Sequence, residues 1–233
     1  MLLLLLLFLI LGKTVIITGA TSGIGKETAR DLAWRKARII LACRNIKKGL
    51  ETAVEIIESS GNKNVEVKKL DLASFQSIHE FAEEINEEVE RVDILINNAG
   101  CGGLVSKTKD NLDSVFQVNY LSHFLLTNLL LDKLKASSPS RVINVSSIQH
   151  ANGNINFDDL CSEKNYKGWL KAYSNTKLAQ MLFTMELSKK LEGVYVFNVI
   201  SKLVLICKIK LQNLMCIHKD SIIIIIIILL NGT

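Results

Sequence analysis

The chain has 233 residues, 48% of them hydrophobic and 22% charged, which suits one globular domain with an ample core and excludes a disordered tract. Its formal net charge of +5 is spread along the sequence without a clustered basic face, which argues against nucleic acid as a partner. The five cysteines, Cys43, Cys101, Cys161, Cys207 and Cys216, are widely spaced and form no Cys-x-x-Cys, so neither a disulfide framework nor a metal site is expected, and the catalytic part belongs in a reducing compartment.

The chain opens on Leu2 to Leu11, an unbroken run of ten apolar residues, against the roughly 20 that a helix needs to cross a bilayer. No basic segment precedes the run and no small-residue cleavage site follows it, so residues 1–11 read as a shortened membrane anchor or a displaced start rather than a signal peptide. An interfacial anchor would need an amphipathic pattern that the run lacks.

Residues 12–199 alternate regularly. Short β-branched runs predict strands at Thr14–Thr18, Arg38–Ala42, Val65–Leu70, Ile94–Asn97, Arg141–Ser146 and Val194–Val199. Helical segments lie between them at Lys26–Lys36, Lys47–Ser59 and Ser74–Val89, with longer stretches at about Leu112–Lys135 and Trp169–Leu191. This alternation implies crossover units and a parallel sheet covered on both faces, an α/β doubly wound fold in a single domain. The one proline, Pro139, falls in the loop that ends the long fifth helix, and neither a linker nor an internal repeat is visible.

Between the first strand and the first helix stands Thr18-Gly19-Ala20-Thr21-Ser22-Gly23-Ile24-Gly25. In that position Gly19 permits a tight turn, Gly23 lets backbone amides approach a pyrophosphate, and Gly25 lets the helix pack closely on the strand, so a dinucleotide site is expected. An NAD site usually carries an acidic residue at the end of the second strand; this chain has Ala42-Cys43-Arg44 there. A guanidinium suits a 2′-phosphate, which favours NADP(H) over NAD(H). Lys26 and Lys48 could add charge nearby, although both also read as ordinary solvated helix residues. Asp71, ending the third strand, could accept from an adenine amino group or cap the next helix together with Ser74.

Farther on, Tyr173 and Lys177 form a Tyr-x-x-x-Lys pair on the last long helix. Reducing a carbonyl by hydride requires a proton donor at the developing alkoxide, and a phenol serves poorly at neutral pH unless a nearby cation stabilises its anion. Spacing of four residues puts the Lys177 ammonium on the face of Tyr173. Ser147, at the carboxyl end of the fifth strand, could hydrogen-bond the substrate oxygen where charge develops. Ser146 is its neighbour, but strand alternation points only one of the two into a site. His123 and His150 lack carboxylates or cysteines at ligand spacing and read as structural. Phe8, Phe81, Phe116, Phe124 and Phe183 read as core or anchor residues, and Glu83-Glu84-Ile85-Asn86-Glu87-Glu88 as a solvated helix face.

Taken in order, the glycine turn with Lys26-Glu27-Thr28-Ala29, Leu41-Ala42-Cys43-Arg44, Asp71-Leu72, Asn97-Asn98-Ala99-Gly100, Val118-Asn119 with His123-Phe124-Leu125-Leu126, Asn144-Val145-Ser146-Ser147 and Tyr173-Ser174-Asn175-Thr176-Lys177 carry a resemblance. From about Gly12 to Asn198 the chain resembles a short-chain dehydrogenase/reductase of the retinol dehydrogenase-like group. The resemblance implies catalysis by Ser147, Tyr173 and Lys177, with Asn119 holding a water that relays protons to Lys177. It implies cofactor contacts at Gly19, Thr21, Ser22, Gly23, Ile24, Gly25, Arg44, Asp71, Leu72, Asn97, Ala99 and Gly100, and again at Tyr173 and Lys177. The implied partners are a small lipophilic alcohol or carbonyl, a membrane surface and a second copy of the chain. The implied location is the endoplasmic reticulum or another intracellular membrane surface facing the cytosol, with the cytoplasm as the alternative.

After Val199 the pattern departs. The family continues with a Pro-Gly turn beside the nicotinamide, a substrate-covering loop and a final strand; here Val199-Ile200 runs into Ser201-Lys202-Leu203-Val204, and Ile222–Ile228 is seven consecutive isoleucines. Residues 200–233 therefore read as a divergent hydrophobic tail lacking the substrate lid and last strand. Two functions are left open: an NADP(H)-dependent oxidoreductase on lipophilic alcohols and carbonyls, and a truncated, inactive homologue that binds dinucleotide or pairs with intact relatives.

Overall fold

The computed structural model describes residues 10–103, 106–161, 164 and 166–200. Most of the expected anchor remnant and nearly all of the tail, including the isoleucine run, Phe8, Cys207 and Cys216, lie outside the described residues. Of the expected anchor remnant, Ile10 is fully buried in the core and Leu11 is exposed.

In chain order the elements are β1 (Thr14–Thr18), α1 (Gly23–Trp34), β2 (Arg38–Cys43), α2 (Ile46–Ser60), β3 (Val65–Lys69), α3 (Phe75–Glu88) and β4 (Ile94–Asn97). Then come α4 (Ser114–Phe116), a π-helical turn (Gln117–Leu121), α5 (Ser122–Leu129), α6 (Leu131–Ala136), β5 (Ser140–Ser146), a 3-10 turn (Ile148–Asn152), α7 (Trp169–Lys190) and β6 (Val194–Ile200). The six strands form one sheet in the order β3-β2-β1-β4-β5-β6, and every pair is parallel. This is the Rossmann arrangement, with strand order reversing between β1 and β4, where a doubly wound sheet opens a crevice at its carboxyl edge.

Alternation along the strands divides the core. Val15, Ile17, Ile39, Leu41, Ile143 and Phe197 pack with Leu32 and Ile56 of α1 and α2. Ile16, Ile40, Leu95, Val142 and Val196 face the other way, against Ile78 and Phe81 of α3, Leu126 of α5 and Leu187 of α7. Both layers are apolar because crossover helices leave neither sheet face to water.

The strand predictions hold to within one residue, and β6 extends to Ile200, which pairs with Ser146. The long helix expected at 112–135 is instead broken into α4, the π-helical turn, α5 and α6. Buried polar side chains reach out from this stretch to neighbouring segments: Gln117 Nε2 donates to Asp110 Oδ2 at 2.5 Å, and Ser122 Oγ to the Leu72 carbonyl at 2.5 Å. A π turn accommodates one extra residue, which places such groups where an unbroken α-helix would not. Glu84 and Glu88 are likewise more than a solvated face, since both bind the buried Lys68, Glu88 Oε2 at 2.7 Å. Burial works against the charge of Lys68, but its bonds to Glu84 and then Glu88 prevail and raise its pKa.

Candidate active site

A cleft of about 590 Å³ opens at the reversal of strand order. Its lining includes Gly19, Thr21, Ser22, Ile24 and Gly25 from the glycine turn, and Arg44, Asn45 and Lys48 from the β2–α2 junction. Asp71 and Leu72 beyond β3, and Asn98, Ala99, Gly100 and Cys101 beyond β4, also line it.

The turn is built to leave backbone exposed to that cleft. Gly19 has φ +65°, and a Cβ there would lie 2.8 Å from the Ala99 Cα. At Gly25 a Cβ would lie 2.4 Å from Asn98 Nδ2 and 2.5 Å from the Gly19 carbonyl. Both positions therefore require glycine on packing grounds alone. Ser22 is the extended N-cap residue of α1 yet makes no side-chain cap bond, which leaves the amino end of α1 to bind an anion with its free N–H groups and dipole. These features fit a dinucleotide pyrophosphate.

The remaining lining residues differ in what they have to spare. Lys26 is paired with Glu55, whereas Lys48 lines the cleft beside Arg44. Asp71 Oδ1 accepts from the Ala73 N–H at 3.1 Å, and Oδ2 lies 3.4 Å from Lys109 Nζ; at the amino end of α3, Ser74 Oγ accepts from Ser77 N and Asp110 Oδ2 from Phe75 N. Asn97 requires a correction. Its side chain is wholly buried and donates to Thr127 Oγ1 at 3.0 Å and Asn144 Oδ1 at 2.8 Å, so it braces the sheet beneath the cleft. Its neighbour Asn98, for which no cofactor contact was expected, lines the cleft and ties the Thr18 carbonyl to its Nδ2 at 2.9 Å. Strand alternation beyond Ile96 was the available signal for separating the two.

The loop Gly100-Cys101-Gly102 joins this cleft to the helix bearing Tyr173 and Lys177. A Cβ on Gly100 would lie 3.8 Å from Lys177 Nζ, and one on Gly102 would touch Trp169 at 3.4 Å and Tyr173 at 3.9 Å. Lys177 is 3% exposed and its Nζ sits 5.5 Å from the Tyr173 ring centroid. Burial pulls its pKa down to about 8. Burial, and after it Asp113, pushes the Cys101 thiol upward, so a neutral thiol faces the ammonium.

Ser147 caps the 3-10 turn, its Oγ accepting from Gln149 N at 3.2 Å, and that turn packs against α7. The packing is close: a Cβ on Gly153 would lie 2.6 Å from the Leu178 Cβ. Ser146 instead points inward and donates to the Lys177 carbonyl at 3.3 Å. Asn119 lies in the π-helical turn, with Oδ1 accepting from Cys101 N at 2.7 Å and Nδ2 donating to the Cys101 carbonyl at 2.9 Å. Its amide thus clamps the loop backbone, a role that the expected water relay does not describe.

His123 is buried beneath, with Nε2 2.9 Å from Thr18 Oγ1 and Nδ1 3.1 Å from the Asn119 carbonyl. The Asn119 carbonyl can only accept, so Nδ1 carries the hydrogen of the neutral ring and Nε2 accepts from Thr18 Oγ1, a hydroxyl that also lies 3.4 Å from the Ile96 carbonyl and accepts from the N–H groups of Asn98 and Ala99. Burial depresses the His123 pKa to about 4.

Residues 13–205 match the family model described as short chain dehydrogenase. The chain is 55% identical over 183 residues to human retinol dehydrogenase 13, covering 78% of this chain and 55% of that protein. With human retinol dehydrogenase 11 the identity is 51% over 185 residues, covering 78% and 57% respectively. The chain thus spans about half the length of the curated relatives it matches. Among solved structures, an uncharacterised protein from Mycobacterium paratuberculosis superposes with a TM-score of 0.74 at 39% identity, covering 82% of this chain and 68% of the other. A metagenomic short-chain oxidoreductase solved with NADP gives a TM-score of 0.73 at 23% identity, covering 97% and 93%.

Proposed function

The chain belongs to the short-chain dehydrogenases, and from that premise we propose that it is an NADP(H)-dependent oxidoreductase interconverting a lipophilic alcohol and its aldehyde or ketone. The observation that carries this reading is the buried Lys177 ammonium held 5.5 Å from the Tyr173 ring, with Gly100 between it and a cleft that fits a dinucleotide. The bound nicotinamide would supply or accept hydride at the substrate carbon.

In the reducing direction, Tyr173 gives its phenolic proton to the carbonyl oxygen as negative charge develops there. Ser147 donates a hydrogen bond to the same oxygen, where a fixed donor favours the transition state over the neutral carbonyl. Lys177 stabilises the phenolate left behind. Asn119 fixes the Cys101 backbone, and with it the loop separating cofactor from catalytic helix. In the oxidising direction the same groups work in reverse, Tyr173 taking the hydroxyl proton.

Arg44 supports NADP(H), because a guanidinium fork at the end of β2 stands where an acidic residue would grip an unphosphorylated ribose. A lipophilic substrate is supported by the relatives' names and by the apolar side chains exposed between Ser147 and Tyr173, among them Ile148, Phe157 at 83% exposure, and Trp169. We read association with a cytosol-facing membrane of the endoplasmic reticulum and a homodimer as part of the same proposal; among the described residues no helix is long and apolar enough to cross a membrane.

Fluorescence titration with both cofactors tests the assignment. NADPH is expected to bind about tenfold or more tighter than NADH, as a charged hydrogen bond to phosphate contributes roughly 1.5–3 kcal/mol, and Arg44→Ala is expected to erase the difference. Equal affinities in the parent protein would overturn the NADP(H) reading.

A further inference from the structure

Lys177 Nζ donates to the Val145 carbonyl at 2.9 Å and to Gln180 Oε1 at 2.9 Å. An ammonium has three N–H groups, so these two bonds fix its position and leave one to act toward the site. The other end of the Gln180 amide, Nε2, donates to the Asn119 carbonyl at 2.8 Å. The two bonds define the orientation of the amide, since a flip would set N–H against ammonium and oxygen against carbonyl. Gln180 is 2% exposed, and Asn119 is wholly buried.

The anchor for this amide comes from the π-helical turn, which presents the Asn119 carbonyl to two side chains, Gln180 Nε2 and His123 Nδ1. Both lone pairs of that oxygen are then engaged by protein donors. A continuous buried path follows, from the Asn98 and Ala99 amides through Thr18, His123, the Asn119 carbonyl and Gln180 to the Lys177 ammonium.

We infer that Gln180 is a positioning residue, which holds the Lys177 ammonium in place beside Tyr173 and keeps it charged by offering a fixed carbonyl dipole tethered to Asn119. The catalytic consequence rests on the function proposed above; the effect on Lys177 does not. The groups facing Lys177 explain why one amide matters. From α7 comes Tyr173; from the loop after β4, Cys101, whose thiol is held neutral; from α5, His123, also neutral; and from β5, the Val145 carbonyl. No carboxylate is bonded to Lys177 among the described residues. With burial setting its pKa at about 8, loss of one acceptor shifts the balance between its charged and neutral forms near neutral pH.

The test is a pH titration followed by NMR on the 233-residue protein carrying 13C at lysine Cε, with Lys177 identified by the signal lost in Lys177→Met. The parent midpoint is expected near 8. Gln180→Leu is expected to lower it by about one pH unit or more, the scale of a lost hydrogen bond to a charged group, and Gln180→Glu to raise it above the parent. The opposite signs separate positioning from a structural role, and Gln180→Glu keeps the test open if Gln180→Leu does not fold. A midpoint unmoved in folded Gln180→Leu or Gln180→Glu would overturn the inference. In turnover assays Gln180→Leu is expected to shift the pH profile the same way and to lower kcat more than it raises KM. Absence of turnover in the parent with the NMR shifts intact would instead count against the proposed function.

Discussion

Ser147 and His123 illustrate two kinds of polar residue that sequence alone separates poorly. Ser147 follows β5 and is only partly shielded, so its substitution should cost chemistry far more than stability: Ser147→Ala is expected to lower kcat about a hundredfold, the usual effect of one lost oxyanion donor, while loss of its cap on the 3-10 turn costs about 1 kcal/mol. His123 should behave in the reverse way. Its folded pKa of about 4 lies below the ordinary histidine value, so the unfolded chain binds a proton that the folded chain refuses. The stabilising contribution is complete above about pH 6.5 and is lost as pH falls toward 4, at up to about 1.4 kcal/mol per unit. Urea unfolding at pH 7 and pH 5 should show this loss in the parent and a smaller one in His123→Gln. Tyr173, Lys177, Ser147 and the glycines were legible because chemistry demands those types in those places. Gln180 was not, since a glutamine three residues after a lysine on a helix usually faces water, and only the buried Asn119 carbonyl gives it a purpose.

Among the elements, the strands were readable to a residue because β-branched runs buried on both faces carry their own signal. The interruption of the 112–135 helix was not, because its causes are partners outside the helical stretch: Leu72 for Ser122, Cys101 for Asn119 and, nearer in the chain, Asp110 for Gln117. The glycine turn makes a sharper claim at this scale. Gly25→Ala would drive a methyl into Asn98 Nδ2 and the Gly19 carbonyl; overpacking of this kind costs about 1–3 kcal/mol, and NADPH affinity is expected to fall at least about tenfold by titration. The amino ends of β1 and β4 are tied by Asp93, fully buried, whose carboxylate accepts from Thr14 N at 2.9 Å and meets Arg91 at 2.6 Å and Lys13 at 2.9 Å. Burial alone would raise its pKa, but Arg91, the Thr14 amide and Lys13 together lower it. Its contribution is therefore present at neutral pH and lost as pH falls below about 4 toward the lowered folded value. Asp93→Asn is expected to destabilise the chain by about 3 kcal/mol at pH 7, with a smaller difference from the parent at acid pH in chemical denaturation.

At the scale of the molecule, reversal of strand order between β1 and β4 puts the glycine turn and the Asn98–Cys101 loop on one crevice, and close packing of the 3-10 turn on α7 brings Ser147 to the helix of Tyr173 and Lys177. The fold thus converges two stretches of sequence across Gly100 and Gly102, which in the proposed function serve a dinucleotide and proton transfer. In the proposed function turnover requires both halves, whereas the cofactor phosphates are held by the first. The most direct measurement follows NADPH oxidation by a long-chain or retinoid aldehyde in the parent protein and in Tyr173→Phe, with NADPH affinity determined for each. The expected result is turnover in the parent, a loss of at least about a hundredfold in Tyr173→Phe, and NADPH affinities within about twofold of each other, since the phenol gives the proton without holding the phosphates. Tight NADPH binding without turnover in the parent, or equal turnover in Tyr173→Phe, would contradict the assignment.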